Sequence, residues 1–148
     1  MSNEVRFERV ISAPPDVVFE AFTSQDGQDA FYREDGWIVE SACNLRVGGE
    51  WTIDFGPSME QLTRHTHRFD VIDPPRRLLL ASTEHRTDGS RFTFTTEFTF
   101  VERDGRTLMT MIQTGIPTAE LRDEHGRGVP RSFTRLETVI RADGGSQR

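Results

Sequence analysis

Apolar residues recur along this chain with two periods, and each change of period marks an element. In residues 4–12, EVRFERVIS, the side chains of Val5, Phe7 and Ile11 alternate with polar ones, which predicts a β-strand. Residues 13–24, APPDVVFEAFTS, place Val18, Phe19 and Phe22 at helical spacing. Pro14 and Pro15 suit a first turn, where no backbone donor is lost, and Asp16 favours the positive end of the helix dipole. A second short helix is expected over SQDGQDAFYRE, 24–34, carrying Phe31 and Tyr32.

From residue 36 the period returns to two. GWIVESA (36–42) reads as a strand. NLRVGGEWTIDFG (44–56) holds a turn at Gly48–Gly49 and a strand with Trp51, Ile53 and Phe55 on one face and Glu50, Thr52 and Asp54 on the other. TRHTHRFDVI (63–72) puts His65, His67, Phe69 and Val71 in phase. LLLAST (78–83), RFTFTTEFTF (91–100) and TLMTMIQTG (107–115) complete the strands. Residues 115–129 read as irregular or partly helical. A last helix is expected from about Pro130 to Arg141, with Phe133, Leu136, Val139 and Ile140 on one side. The final residues 142–148, ADGGSQR, are expected to be a disordered tail, leaving a single domain over 1–141. Strands joined by short turns form antiparallel sheets, and a late amphipathic helix must cover the sheet's apolar face. The fold class is therefore α+β: a curved antiparallel sheet of about six to seven strands wrapped around a C-terminal helix.

Within RFTFTTEFTF every phenylalanine is at an even position: Phe92, Phe94, Phe98 and Phe100. A two-residue Asp104-Gly105 hairpin loop sets Phe100 opposite Met109 and Phe98 opposite Met111, so aromatic rings meet thioethers on one face. Val101 then meets Leu108 on the other face. The same register puts Thr96 opposite Gln113, where the aromatic stripe is interrupted. These polar groups either bond each other or a buried water, or they orient the polar group of a ligand in an otherwise apolar pocket.

Composition narrows the classes. A chain of 148 residues with 34% apolar and 28% charged residues suits one globular domain. No run approaches the roughly 18 apolar residues of a membrane span, so no membrane insertion is expected. The charged, alternating start lacks the apolar stretch of a secretory signal, which fits a cytoplasmic location. One cysteine, Cys43, cannot form an internal disulfide and reads as a small buried hydrophobe. A net charge of −6 argues against nucleic acid as a partner. All basic residues are arginine, so Schiff-base chemistry on lysine is excluded.

His65 and His67 share one strand face and could chelate a metal with a third ligand, but none appears at motif spacing. His85 and His125 fall in expected loops. No metal, no other cofactor and no catalytic residue is assigned on this reading. Asp54 and Glu50 are expected to be solvated.

Nearly the whole chain resembles the START/Bet v 1-like (SRPBCC, helix-grip) superfamily. The nearest group is the activator of heat-shock protein 90 ATPase homologue-like proteins. The resemblance is carried by ERVISAPPDVVFEAFTS (8–24), NLRVGGEWTIDFG (44–56), DVIDPPRRLLLAST (70–83), DGRTLMTMIQTGIPTAELRD (104–123) and RGVPRSFTRLETVI (127–140). It implies a hydrophobic cavity between sheet and long helix, in a superfamily whose members bind lipids, sterols, polyketides or plant metabolites. A minority are enzymes such as aromatase/cyclases, and no fixed catalytic motif defines this group.

Three functional readings follow. In the first, a small hydrophobic or aromatic metabolite binds beneath the last helix, with Trp51, Phe55, His67, Phe69, Thr96, Phe98, Met111, Gln113 and Phe133 as the ligand-binding set. The second is an enzyme of cyclase, dehydratase or hydrolase type on the same scaffold, using His65, His67 or Asp54. The third is a co-chaperone-like interaction module working through the outward Val101, Leu108 and Ile112, a face that could equally serve a homodimer.

Overall fold

The computed structural model describes residues 3–146, with side chains in the last helix described through residue 142. Seven strands form one antiparallel sheet: β1 (Asn3–Ile11), β2 (Ile38–Cys43), β3 (Glu50–Gly56), β4 (Thr63–Asp73), β5 (Arg77–His85), β6 (Arg91–Arg103) and β7 (Arg106–Ile116). Their spatial order is β1-β7-β6-β5-β4-β3-β2, a meander closed at one edge by the first strand. Helices α1 (Pro15–Thr23) and α2 (Gln25–Tyr32) follow β1. Helices α3 (Ala119–Arg127) and α4 (Val129–Ser146) follow β7. The α+β architecture is the expected one: a sheet gripping a long C-terminal helix, with two short helices after the first strand.

The β6–β7 hairpin has the expected register. Phe98 faces Met111, Phe100 faces Met109, and Thr96 faces Gln113. Asp104 and Gly105 both adopt positive φ, as a tight two-residue turn requires. The segment after β7 is the partly helical alternative: it contains α3, whose Thr118 side chain accepts from Leu121 N and caps the helix, so His125 lies on a helix and not in a loop. In β4, His65, His67 and Phe69 are in phase as expected, but a bulge at Asp70 puts Val71 out of it, because Phe69 faces Leu80 whereas Val71 faces Leu79. Ile72, not Val71, therefore packs against the core. The expected tail 142–148 lies partly outside the described residues, and the backbone as far as Ser146 is helical.

The core lies between the sheet and helices α1, α2 and α4. Phe22 is fully buried at its centre, with ring centroids 4.6 Å from Phe98, 5.2 Å from Phe31 and 5.5 Å from Trp51. From α4, Val129, Phe133, Leu136 and Ile140 are buried along one side, while Val139 lies at its margin. Burying side chains of this size stabilises by about 1.5–3 kcal/mol each.

α1 and α2 meet almost at right contact distance. A Cβ at Gly27, in the first turn of α2, would stand 1.8 Å from the Ala21 carbonyl oxygen of α1. Only glycine lets α2 lie close enough to deliver Phe31 and Tyr32 to the interior. Gly27→Ala is expected to destabilise the fold by about 2 kcal/mol or more, measured by urea unfolding. An unchanged midpoint would mean that this contact is not tight.

Candidate functional site

A cavity of about 570 Å3 lies between the sheet, α3 and α4. Its apolar wall includes Phe31, Trp37, Phe55, Met111 and Val129, its floor is polar (Tyr32, His65, Glu84, Gln113 and His125), and Glu34, Asp35, Glu124, Arg127, Arg131 and Arg135 add charged side chains to the lining. The strand pattern explains this division. The inward face of β5 reads Leu78, Leu80, Ser82, Glu84, so it changes from apolar to polar halfway along. Across the ladder, Ser82 pairs with His67 and Glu84 with His65.

These groups form one connected network. Glu84 Oε1 lies 2.6 Å from His65 Nε2 and 2.7 Å from His125 Nε2. Glu84 Oε2 accepts from Arg86, which also reaches Glu124 of α3. Tyr32 Oη bridges His65 Nδ1 at 3.1 Å and His67 Nε2 at 3.0 Å. His67 Nδ1 is 2.7 Å from Ser82 Oγ, which is 2.9 Å from Thr96 Oγ1. His125 Nδ1 is 2.9 Å from Gln113 Oε1.

Burial alone would raise the pKa of Glu84, but the hydrogen bonds from His125 and His65 outweigh it and hold the carboxyl far below the usual range. Burial pushes His65 below the ordinary histidine value despite the pull of Glu84, and pushes His67 well below it. Burial, reinforced by the charge of Glu84, raises the Tyr32 hydroxyl well above its usual value.

With Glu84 ionised and both β4 histidines neutral, one proton arrangement satisfies the chain. Thr96 donates to Ser82, Ser82 to His67 Nδ1, His67 Nε2–H to Tyr32, Tyr32 to His65 Nδ1, and His65 Nε2–H to Glu84. Every link is filled without a second charge. The arrangement runs from the aromatic core to the cavity floor.

Of the residues expected to contact a ligand, Phe55, Met111 and Gln113 line the cavity. Trp51, Phe69, Phe98 and Phe133 are buried in the core. His67 and Thr96 stand in the network behind the floor. Thr96 and Gln113 face each other but bond elsewhere, to Ser82 and His125. Asp54 pairs with Arg64 at 2.6 Å and takes no part in the floor. The thiol of Cys43 is half-buried, and burial raises its pKa, which makes it a weak nucleophile. On the outer sheet face Val10, Leu108 and Val101 form a row across β1, β7 and β6, with Val10 and Val101 exposed. Ile112 lies farther along β7, between Arg6 and Glu97.

Sequence reasoning missed Tyr32, Glu84, Ser82 and His125 in the network and Phe31, Trp37 and Val129 in the wall. Continued alternation past Ala81 signalled Ser82 and Glu84. For His125 the signal was the helix it sits on: a Thr118 cap, Glu120 early and basic residues late.

The family model described as activator of Hsp90 ATPase homolog 1-like protein matches residues 12–141. The chain belongs to this family. Its SRPBCC fold is typically a ligand-binding one. Among solved structures, a protein from Chromobacterium violaceum matches with a TM-score of 0.81 at 24% identity, covering 93% of this chain and 97% of that one. A Rhizobium leguminosarum protein matches with a TM-score of 0.81 at 18% identity, covering 96% of each chain. A Rhodobacter sphaeroides protein matches with a TM-score of 0.78 at 20% identity, covering 95% of this chain and 93% of that one. At these identities the likeness establishes the fold. No curated protein matches the chain. Among the described residues no helix is long and apolar enough to cross a membrane.

The buried histidines set a pH dependence. Both native pKa values lie below the unfolded value of about 6.5, so below that pH the unfolded chain binds protons that the native protein does not. Their stabilising contribution is complete above about pH 6.5 and is lost as pH falls toward the native values. Each histidine adds a slope of up to about 1.4 kcal/mol per pH unit. Urea unfolding from pH 7.5 to 5 is expected to show this fall, with the slope reduced by about one such unit in His67→Gln. An identical slope in the variant would show that His67 is not held neutral.

Proposed function

We propose that the protein binds a small, largely aromatic or hydrophobic molecule bearing at least one polar group in the cavity between sheet and α4. The observation that carries this is the cavity's composition. A volume of about 570 Å3 is within the ordinary range for small-molecule sites, and an aromatic wall meets convergent polar groups at the floor and charged side chains elsewhere in the lining, which suits a ligand that carries a polar group. Trp37 and Phe55, stacked at 6.0 Å, offer a ready platform for a planar ring. The family's fold supports the same reading.

The test is a thermal-shift screen against fatty acids, sterols, flavonoids and aromatic polyketide-like compounds, read in parallel by tryptophan fluorescence. A ligand at about 100 times its dissociation constant stabilises by about 2.7 kcal/mol, which is several degrees in Tm for a domain of this size. Hits are expected to weaken in Phe55→Ala. A flat panel, or hits indifferent to Phe55, would sink the reading.

A second reading is favoured by the Tyr32–His65–Glu84 chain, which ends at the cavity: an enzyme that exchanges a proton with its bound substrate. On that reading Tyr32→Phe, once a hit is known, abolishes turnover while leaving its Kd within a few-fold of wild type. Equal turnover in the variant would show that this chain does not carry the proton, and no turnover of any hit by the wild type would leave binding as the whole function.

A further inference from the structure

His65 from β4, Glu84 from β5 and His125 from α3 converge on one point of the cavity floor. Their donor atoms, His65 Nε2, Glu84 Oε1 and His125 Nε2, lie within 4.8 Å of one another. We propose that this trio binds a divalent transition-metal ion, zinc or iron(II), with its remaining coordination positions open to the cavity.

The donor set is the first reason. Two imidazoles and one carboxylate suit zinc and iron(II), and three protein ligands with an open position mark sites that also take water or a substrate. All three residues line the cavity, so the open positions face its interior.

Geometry is the second. Both imidazole nitrogens approach the same carboxylate oxygen, at 2.6 and 2.7 Å. Donors on a tetrahedral zinc with bonds of about 2.0–2.1 Å stand roughly 3.3 Å apart. Opening the trio by roughly 0.6 Å, through rotation of the Glu84 side chain, makes room for an ion where protons now bridge. Arg86 occupies Oε2 and leaves Oε1 directed at the histidines.

The outer contacts are the third. A ligating histidine keeps its other N–H on an acceptor. Gln113 Oε1 accepts at His125 Nδ1, which puts a proton on Nδ1. An ion would take the place of the His125 Nε2–H···Oε1 hydrogen bond, and the Nδ1–H held on Gln113 would then orient the neutral ring as a ligand. At His65 the hydroxyl chain reverses without loss: Nδ1–H donates to Tyr32, Tyr32 to His67 Nε2, and His67 Nδ1–H to Ser82.

The pairing of His65 with His67, natural from the sequence, is not the one the fold makes. Both nitrogens of His67 are engaged by Tyr32 and Ser82.

The test uses tag-free full-length protein stripped with a chelator and titrated with cobalt(II), then with zinc. One equivalent of cobalt is expected to give a visible d–d absorption band that zinc displaces. His125→Ala, on the outer helix, is expected to weaken binding by more than about a hundredfold, beyond the loss typical of removing an outer-shell partner. His85→Ala, a neighbouring histidine outside the trio, is expected to bind as wild type. If circular dichroism shows His125→Ala unfolded, Glu84→Gln supplies the same comparison. No band at millimolar cobalt, or a band that survives both trio substitutions, overturns the proposal. No organic ligand enters this experiment, so its failure is separate from failure of the ligand screen.

Discussion

A carboxylate inside a protein needs donors on both oxygens or it loses its charge. Glu84 is buried on the central strand β5 and keeps its charge because His65, His125 and Arg86 all donate to it. That requirement organises this end of the molecule. His65 is held in one rotamer and in turn fixes Tyr32 at the end of α2. His125 and the Arg86–Glu124 contact tie down α3, a helix with no buried residue of its own. Removing one partner of such a buried pair costs about 3–5 kcal/mol elsewhere. The position of α3 over the cavity therefore depends on this charge as well as on the packing of Leu121 against the core.

The inner sheet face is divided along a line through Thr96. On one side Leu78, Leu80, Phe98, Phe100 and Phe69 are buried beneath α1 and α4. On the other lie Ser82, Glu84, His65 and His67, with Phe94 packed edge-on to His125 at 5.2 Å. The phenylalanine stripe of β6 thus serves two purposes: Phe98 and Phe100 fill the core, and Phe94 and Phe92 support the histidines. α1 and α2 fill the apolar half, whereas α3 reaches the polar half only through side chains, and the space left between is the cavity.

The fold was legible because its signals are local. Alternation marks each strand, and the Asp104-Gly105 turn sets the register of β6 and β7 to the residue. The site was only partly legible, and the bulge at Asp70 shows why. Near the turn, Asp73 faces Arg77, and an unbroken ladder from there would set His65 opposite His85. One extra residue in β4 shifts the partner to Glu84, turning a histidine pair into a histidine–carboxylate pair. Nothing in the local pattern distinguishes DVID with a bulge from DVID without one. His125 was hidden differently: it lies 41 residues from Glu84, and only the packing of α3 brings the two together.

The polar floor is satisfied before anything enters the cavity, and this shapes what an occupant can gain. Glu84 has its donors, Gln113 its imidazole, and Tyr32 both histidines. A purely apolar molecule therefore loses nothing at the floor and gains only from Phe31, Trp37, Phe55 and Met111. A polar group gains only by replacing an existing bond, a nearly even exchange unless its geometry or charge is better. Affinity thus comes from the aromatic wall, and discrimination from the floor, where a poorly placed donor or acceptor leaves a buried group unpaired. The group with most to offer there is one that bonds Glu84 and both imidazoles at once, as a metal ion would do in place of the two protons that now bridge them.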